Sequence, residues 1–189
     1  MPSRNVFAPL GAANIAIDER EVNDFYATDP KAVRLLLQEE TFDHNILEPM
    51  CGAGHISETL KEAGYEVSSS DMIDRGYGDV KNVFNIATWE GDIISNPPYK
   101  GALEYIKHCM DIIPVGHKIA MFLKLLFLEG KERGRWFKDN PPKTIYVARS
   151  RLACVKGGDF TKTYSSAVAY AWFVWEKGFR GDPVIKWIN

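Results

Sequence analysis

Cysteine is scarce in this chain and never closely spaced. Cys51, Cys109 and Cys154 stand far apart in 189 residues, with no C-x-x-C pair. That argues against a disulfide framework and against a thiolate zinc site, and a reducing cytoplasm is the expected setting. Long apolar runs are lacking too: the best, Ile119 to Leu128, is broken by Lys124 and falls short of a membrane span. The opening MPSRNVFAPLGAANIAIDER loosely mimics a secretion signal, but Pro9 and Asn14 interrupt its apolar part. There is no internal repeat and no low-complexity tract. Net charge is only −2, so the chain as a whole does not announce a polyanionic partner. What remains is ordinary globular composition, 46% hydrophobic and 25% charged, which argues against disorder and collagen-like structure. The length predicts one domain over 1–189, burying roughly 70% of the unfolded chain's surface.

Charge is unevenly spread. Residues 131–162 hold nine Lys and Arg, Arg149 and Arg151 among them, against Glu132, Asp139 and Asp159. A solvated helix followed by an edge strand is one reading of this stretch; a phosphate-facing surface is the other.

Periodicity and turn signals place the elements. Asp29-Pro30 predicts a helix start, Asp as N-cap and Pro at the first helical position, with Val33, Leu36 and Leu37 as its apolar stripe. Ile46 to Pro49 reads as a buried strand and His55 to Ala63 as a helix stopped by Gly64. Tyr65 to Ser70, Val83 to Ile86 and Ile93 to Asn96 read as further strands. Gly101 to Ile113 predicts a helix, Lys118 to Phe127 a long strand and Glu129 to Asp139 a charged helix. Strands follow at Thr144 to Arg149, Ala167 to Glu176 and Val184 to Ile188. Such alternation predicts an α/β fold with a mostly parallel sheet and helices on both faces. A ligand is expected beyond the carboxyl ends of the strands.

Two stretches carry chemistry. The first is Glu48-Pro49-Met50-Cys51-Gly52-Ala53-Gly54, between the first strand and its helix. Gly52 and Gly54 let backbone approach a ligand, and the helix N-terminus behind them favours an anionic group. Asp71, just past the next strand, stands where an acid bonds the hydroxyls of a ribose. The pattern reads as a nucleoside pocket. A dinucleotide site competes, but the third glycine of GxGxxG is absent; a glycine turn without ligand is the plain alternative.

The second stretch is Asn96-Pro97-Pro98-Tyr99, which ends the Ile93-Ile94 strand. Neither proline has an N–H. The Asn96 side-chain oxygen and the Pro97 carbonyl therefore form a fork of acceptors, suited to a planar –NH₂ with two donors, such as the exocyclic amine of adenine. Tyr99 would stack on the base, a contact of roughly 1–3 kcal/mol. Asn140-Pro141-Pro142-Lys143 repeats the tripeptide after a charged helix, without the aromatic, and reads as a helix stop.

These motifs resemble those of the amino-methyltransferases that use S-adenosylmethionine. Asp24-Phe25-Tyr26-Ala27-Thr28-Asp29-Pro30 resembles the extra motif near the start of that family, although Asp29 intervenes before the proline. The motif order is similar to that of gamma-type adenine DNA methyltransferases. The stretch 122–147 is similar to small phage and prophage members, and the whole resemblance covers most of 24–176. It implies a Rossmann-like class I methyltransferase fold with a seven-stranded sheet, S-adenosylmethionine as cofactor, no metal, and methylation of adenine in DNA. Glu48, Pro49, Met50, Cys51, Gly52 and Gly54 would then line the methionine part of the cofactor, with Tyr26 and Thr28 at its carboxylate. Asp71 and Met72 would take the ribose region, and Asp79 the cofactor's adenine. Asn96, Pro97, Pro98 and Tyr99 would be catalytic, Asn96 also touching the cofactor. Phe160 or Tyr164 would be the second wall of the base pocket, with Arg149 and Arg151 on the nucleic acid. RNA adenine and protein glutamine are the alternative substrates, a dehydrogenase or an inactive binding module the alternative functions. A monomer or homodimer without membrane attachment is expected. No separate target-recognition domain is expected in this length, and the basic stretch 131–162 is the substitute.

Overall fold

In the computed structural model, residues 26–150, 152, 154–155, 160 and 168–189 are described. Their strands and helices run β1 (Ala27–Thr28), α1 (Pro30–Glu39), β2 (Asn45–Glu48), α2 (His55–Glu62), β3 (Glu66–Asp71), β4 (Asp79–Val80), β5 (Asp92–Ser95) and α3 (Ala102–Ile112). Then come β6 (Lys118–Lys124), α4 (Lys131–Asp139), β7 (Thr144–Ala148), β8 (Cys154–Val155), β9 (Tyr170–Glu176) and β10 (Val184–Ile188).

Among the described residues, eight strands form one sheet in the order β10-β7-β9-β6-β5-β2-β3-β4. All neighbours are parallel except β9, which runs antiparallel to both β6 and β7. The sheet thus has eight strands and not seven: β10 extends it past β7, and the two-residue β4 closes the other edge. A separate small ladder pairs β1 with β8, Ala27 opposite Val155 and Thr28 opposite Cys154.

The central strands explain the layers. Successive side chains of a strand point to opposite faces. Ile119, Met121 and Leu123 of β6 enter one core with α3, while Ala120 and Phe122 enter the other with α1 and α2. β9 divides likewise, Phe173 and Trp175 to one side, Trp172 and Val174 to the other. Strands buried on both faces read as continuous apolar runs, as these do. α1 begins as its sequence predicts: Asp29 Oδ1 accepts from the Lys31 N–H at 2.8 Å, with Pro30 in the first turn. Trp172 Nε1 donates to the Ala32 carbonyl at 2.8 Å, joining that helix to the sheet's centre.

Two expectations need correction. Val83 to Ile86 is not a strand: Val83–Asn85 forms a single 3-10 turn capped by Asn82, whose side chain accepts from Phe84 N–H. The Asn82 cap offers the backbone a local partner in place of a sheet ladder. The long strand expected to reach Phe127 ends at Lys124, and Leu125–Leu128 turns away as a second 3-10 segment. The second Asn-Pro-Pro does follow the end of α4, and the Asn140 carbonyl accepts from Trp175 Nε1 at 3.2 Å. Among the described residues, no helix is long and apolar enough to cross a membrane.

Phe122 is fully buried between the rings of Tyr170 and Trp172, with centroids 5.3 and 4.9 Å away. Phe122→Ala is expected to cost about 3–5 kcal/mol of stability, measured by denaturant unfolding; a loss below about 1 kcal/mol would contradict this packing.

Candidate active site

The chain crosses from β2 through α2 to β3 on one side, and from β5 through α3 to β6 on the other. Strand order therefore reverses between the adjacent strands β2 and β5, which opens a crevice at their carboxyl ends. Glu48 ends β2, Asp71 ends β3 and Asn96 follows β5 directly. A cavity of about 440 Å³ lies there, within the range of small-molecule sites.

Residues 49–54 wrap one side of it. The Cys51 N–H donates to the Ser70 carbonyl and the Gly52 N–H to Asp71 Oδ2, both at 2.9 Å. The other Asp71 oxygen accepts from Ile73 N–H at 2.9 Å. Asp71 thus ties the loop to the end of β3, and each oxygen keeps a further lone pair for a ligand. Gly54 has φ +84°, and a Cβ there would come within 2.6 Å of the Tyr77 ring, so this turn requires glycine.

Glu48 is 1% exposed. The Ser57 hydroxyl donates to it, and Ser57 and Ser69 share a hydrogen bond of 2.6 Å. Burial pushes its carboxyl up to about 8, with the nearby Asp71 charge adding to the rise. Burial also pushes the Cys51 thiol up to about 12, so it is no thiolate nucleophile. Burial lowers the pKa of His55 at the start of α2, leaving the ring neutral at pH 7.

Asn96 has a fixed orientation. Its Nδ2 donates to the Tyr26 carbonyl and to Thr28 Oγ1, each at 3.0 Å. A carbonyl can only accept, so the nitrogen end of the amide must face β1 and the oxygen is its acceptor end. Tyr99 packs beside Tyr26 and Tyr170, ring centroids 6.1 Å away in both cases, with Lys124 Nζ 4.1 Å from its own centroid.

Of the residues expected from the sequence, Tyr26, Thr28, Glu48, Pro49, Met50, Cys51, Asp71, Met72, Asn96, Pro98 and Tyr99 line this one cavity. Gly52, Gly54 and Pro97 are not among the lining residues. Asp79 is not brought to it: it is an exposed residue of edge strand β4, opposite Ser70, and Asn82 lines the cavity three residues later. Phe160 is not among the lining residues either; it packs edge-on against His55, which is, at 5.5 Å. Arg149 is exposed just past β7, its N–H bonded to Asn189 Oδ1. Arg151 and Tyr164 lie outside the described residues. His55, Ile73, Arg75, Val83, Lys100 and Tyr105 also line the cavity and were missed. His55 and Ile73 had a signal, since His55 directly follows the glycine loop and Ile73 stands two residues after Asp71. Val83 and Tyr105 arrive through tertiary packing alone.

No family model and no curated protein matches the chain. Solved structures share its fold. A Listeria monocytogenes protein described as a class I S-adenosylmethionine-dependent methyltransferase has a TM-score of 0.54 at 12% identity, over 84% of this chain and 62% of its own. A Pyrococcus horikoshii protein described as an RNA methyltransferase has 0.55 at 11%, over 79% and 83%. A Vibrio vulnificus protein described as the modification subunit of a type I restriction enzyme has 0.53 at 14%, over 89% and 46%. The chain therefore spans about two-thirds or less of two of these three proteins. The shared architecture is the Rossmann-like fold of class I methyltransferases.

The buried Glu48 carboxyl makes stability pH-dependent. Its folded value near 8 lies above the unfolded 4.5, so the native state holds a proton that the unfolded chain releases in between. Unfolding free energy should fall as pH rises through that window. Glu48→Gln mimics the protonated acid and is expected to flatten the fall, as measured by urea unfolding at about pH 5 and pH 8. Parallel pH dependence in wild type and variant would contradict it.

Proposed function

We propose that this protein transfers a methyl group from S-adenosylmethionine to the exocyclic amino group of adenine in DNA. The observation that carries the reading is the Asn96 amide, held with both hydrogens against β1 and its oxygen as the acceptor end. The cavity fits the cofactor: about 440 Å³, walled by a glycine loop and bordered by Glu48 and Asp71. When bound, S-adenosylmethionine supplies an electrophilic methyl carbon on a sulfonium sulfur.

The chain's own residues act on the amine. In adenine its lone pair is drawn into the ring, which makes it a poor nucleophile. Asn96 Oδ1 and the Pro97 carbonyl accept its two N–H groups, pull the nitrogen toward a pyramidal shape and free that pair. Held beside Glu48 and Asp71, S-adenosylmethionine would supply its methyl carbon to that pair and leave as the neutral thioether. The methylated amine would be cationic and would then give up a proton to solvent water, so no strong base has to act first. Tyr99 stacks the base, and Asp71 and Glu48 orient the ribose and methionine ends of the cofactor. The target base has to be turned out of the duplex to reach Asn96.

The DNA substrate is favoured by positive charge near the site. Lys131 and Arg149 are exposed, and Arg149 follows the carboxyl end of β7, the edge on which Asn96 stands. A restriction-modification subunit among the similarly folded proteins fits the same substrate. RNA adenine is the second reading, kept because a protein described as an RNA methyltransferase shares the fold equally well.

Asn96→Ala is expected to lower methyl transfer by at least about 10³-fold, while cofactor affinity by calorimetry stays within a few-fold. Turnover surviving within a few-fold would overturn the acceptor fork. Thr28→Val removes one acceptor of the Asn96 nitrogen with little change of shape. It should cost about tenfold or more in kcat through loss of orientation, and an unchanged kcat would show that the β1 contact does not position Asn96.

A further inference from the structure

The turn after β6 presents large apolar side chains to solvent at the active-site edge. Leu126 is 68% and Leu128 40% exposed, although Phe127 between them is buried in the core. The turn is clamped from beneath: the Leu125 N–H donates to the Ala169 carbonyl at 2.8 Å, and the Arg133 guanidinium lies 4.9 Å from the Phe127 ring. The two contacts hold the base of the turn while Leu126 and Leu128 project from it. Single exposed leucines are common and need no function; position and surroundings set this pair apart. Lys124, which begins the turn, lies 4.1 Å from the Tyr99 ring centroid. β6 is also the immediate neighbour of β5, which delivers Asn96.

Charge around the projection is mainly positive. Lys131 and Arg135 stand one turn apart on the first half of α4 and are exposed, and Arg149 follows β7, two strands away or about 10 Å. Among the described residues, Glu129 and Glu132 are acids beside the turn, and the Lys107 ammonium lies 3.7 Å from Glu132 and 2.9 Å from Glu104. Apolar tips flanked by cations match a duplex, whose stacked bases are apolar and whose rims are anionic. Proteins that unstack DNA insert Leu, Phe, Ile, Met or Pro between base steps.

We infer that the Leu126–Leu128 turn is the wedge that enters double-stranded DNA beside the target adenine and fills the gap when that base is turned out. This rests on the DNA reading above. Tyr99 would take the extruded base on one side of the turn, and Lys131 and Arg149 the backbone around it. A single strand has no stack to hold open, so the wedge should matter only for duplex.

The test is the double variant Leu126→Ser/Leu128→Ser, with Leu126→Ser alone as a second, and unchanged thermal unfolding as the check on folding. Tritiated methyl transfer is measured on mixed-sequence genomic DNA fragments, native and heat-denatured. Binding of a fluorescein-labelled mixed-sequence duplex is followed by anisotropy. The ratio of native to denatured transfer is expected to fall at least about tenfold in the double variant. An unchanged ratio, or equal losses on both forms, would overturn the wedge while leaving the DNA reading intact. If wild type labels neither form, the DNA reading fails and the wedge falls with it; where wild type labels DNA, duplex binding weakened by less than about twofold in the double variant also overturns the wedge.

Discussion

Two hydrogen bonds from one amide nitrogen hold the proposed chemistry in place. An asparagine side chain presents donors at one end and an acceptor at the other, and a reversal would turn an acceptor fork into a repulsive one. The Tyr26 carbonyl and Thr28 hydroxyl take both hydrogens of Asn96 and settle which end is which. Those acceptors lie 70 and 68 residues away in sequence. Their placement depends on the β1–β8 ladder on one side and on the capped start of α1 on the other. α1 in turn is bonded to the centre of the sheet through Trp172. A local orientation at residue 96 is thus supported by the packing of half the molecule.

The opposite wall of the cavity works differently. There the backbone supplies the shape and two acids supply the polarity. Asp71 accepts two backbone N–H groups and remains partly open to solvent. Glu48 is enclosed with two serine hydroxyls and is raised toward neutrality by burial. Burial therefore favours the protonated form of Glu48, and a cationic ligand group near it would favour release of that proton.

The sequence made some of this legible and hid the rest for identifiable reasons. Asn96-Pro97-Pro98-Tyr99 stood out because two prolines at a strand end remove donors, a property of residue type alone. The Asp29-Pro30 helix start, the glycine loop and Asp71 were readable for the same reason, since caps and tight turns are local. The 3-10 turn at Val83 was misread as a strand because its apolar residues are too few to show a period. A seven-stranded sheet was expected and, among the described residues, eight strands form it, since a short edge strand such as Asp79–Val80 leaves almost no pattern. The roles of Tyr26 and Thr28 as partners of Asn96 were invisible, because nothing in a chain announces a contact across some 70 residues. Tyr105 and Val83 reach the cavity for the same non-local reason.

Identifying the methylated atom tests the proposed chemistry most directly. The protein would be incubated with methyl-labelled S-adenosylmethionine and separate pools of DNA, RNA and protein, then the products digested and analysed by mass. The expected result is label in DNA, on the exocyclic nitrogen of adenine. Label on an oxygen or carbon atom, or on no polymer at all, would contradict an acceptor fork built to bind an amine.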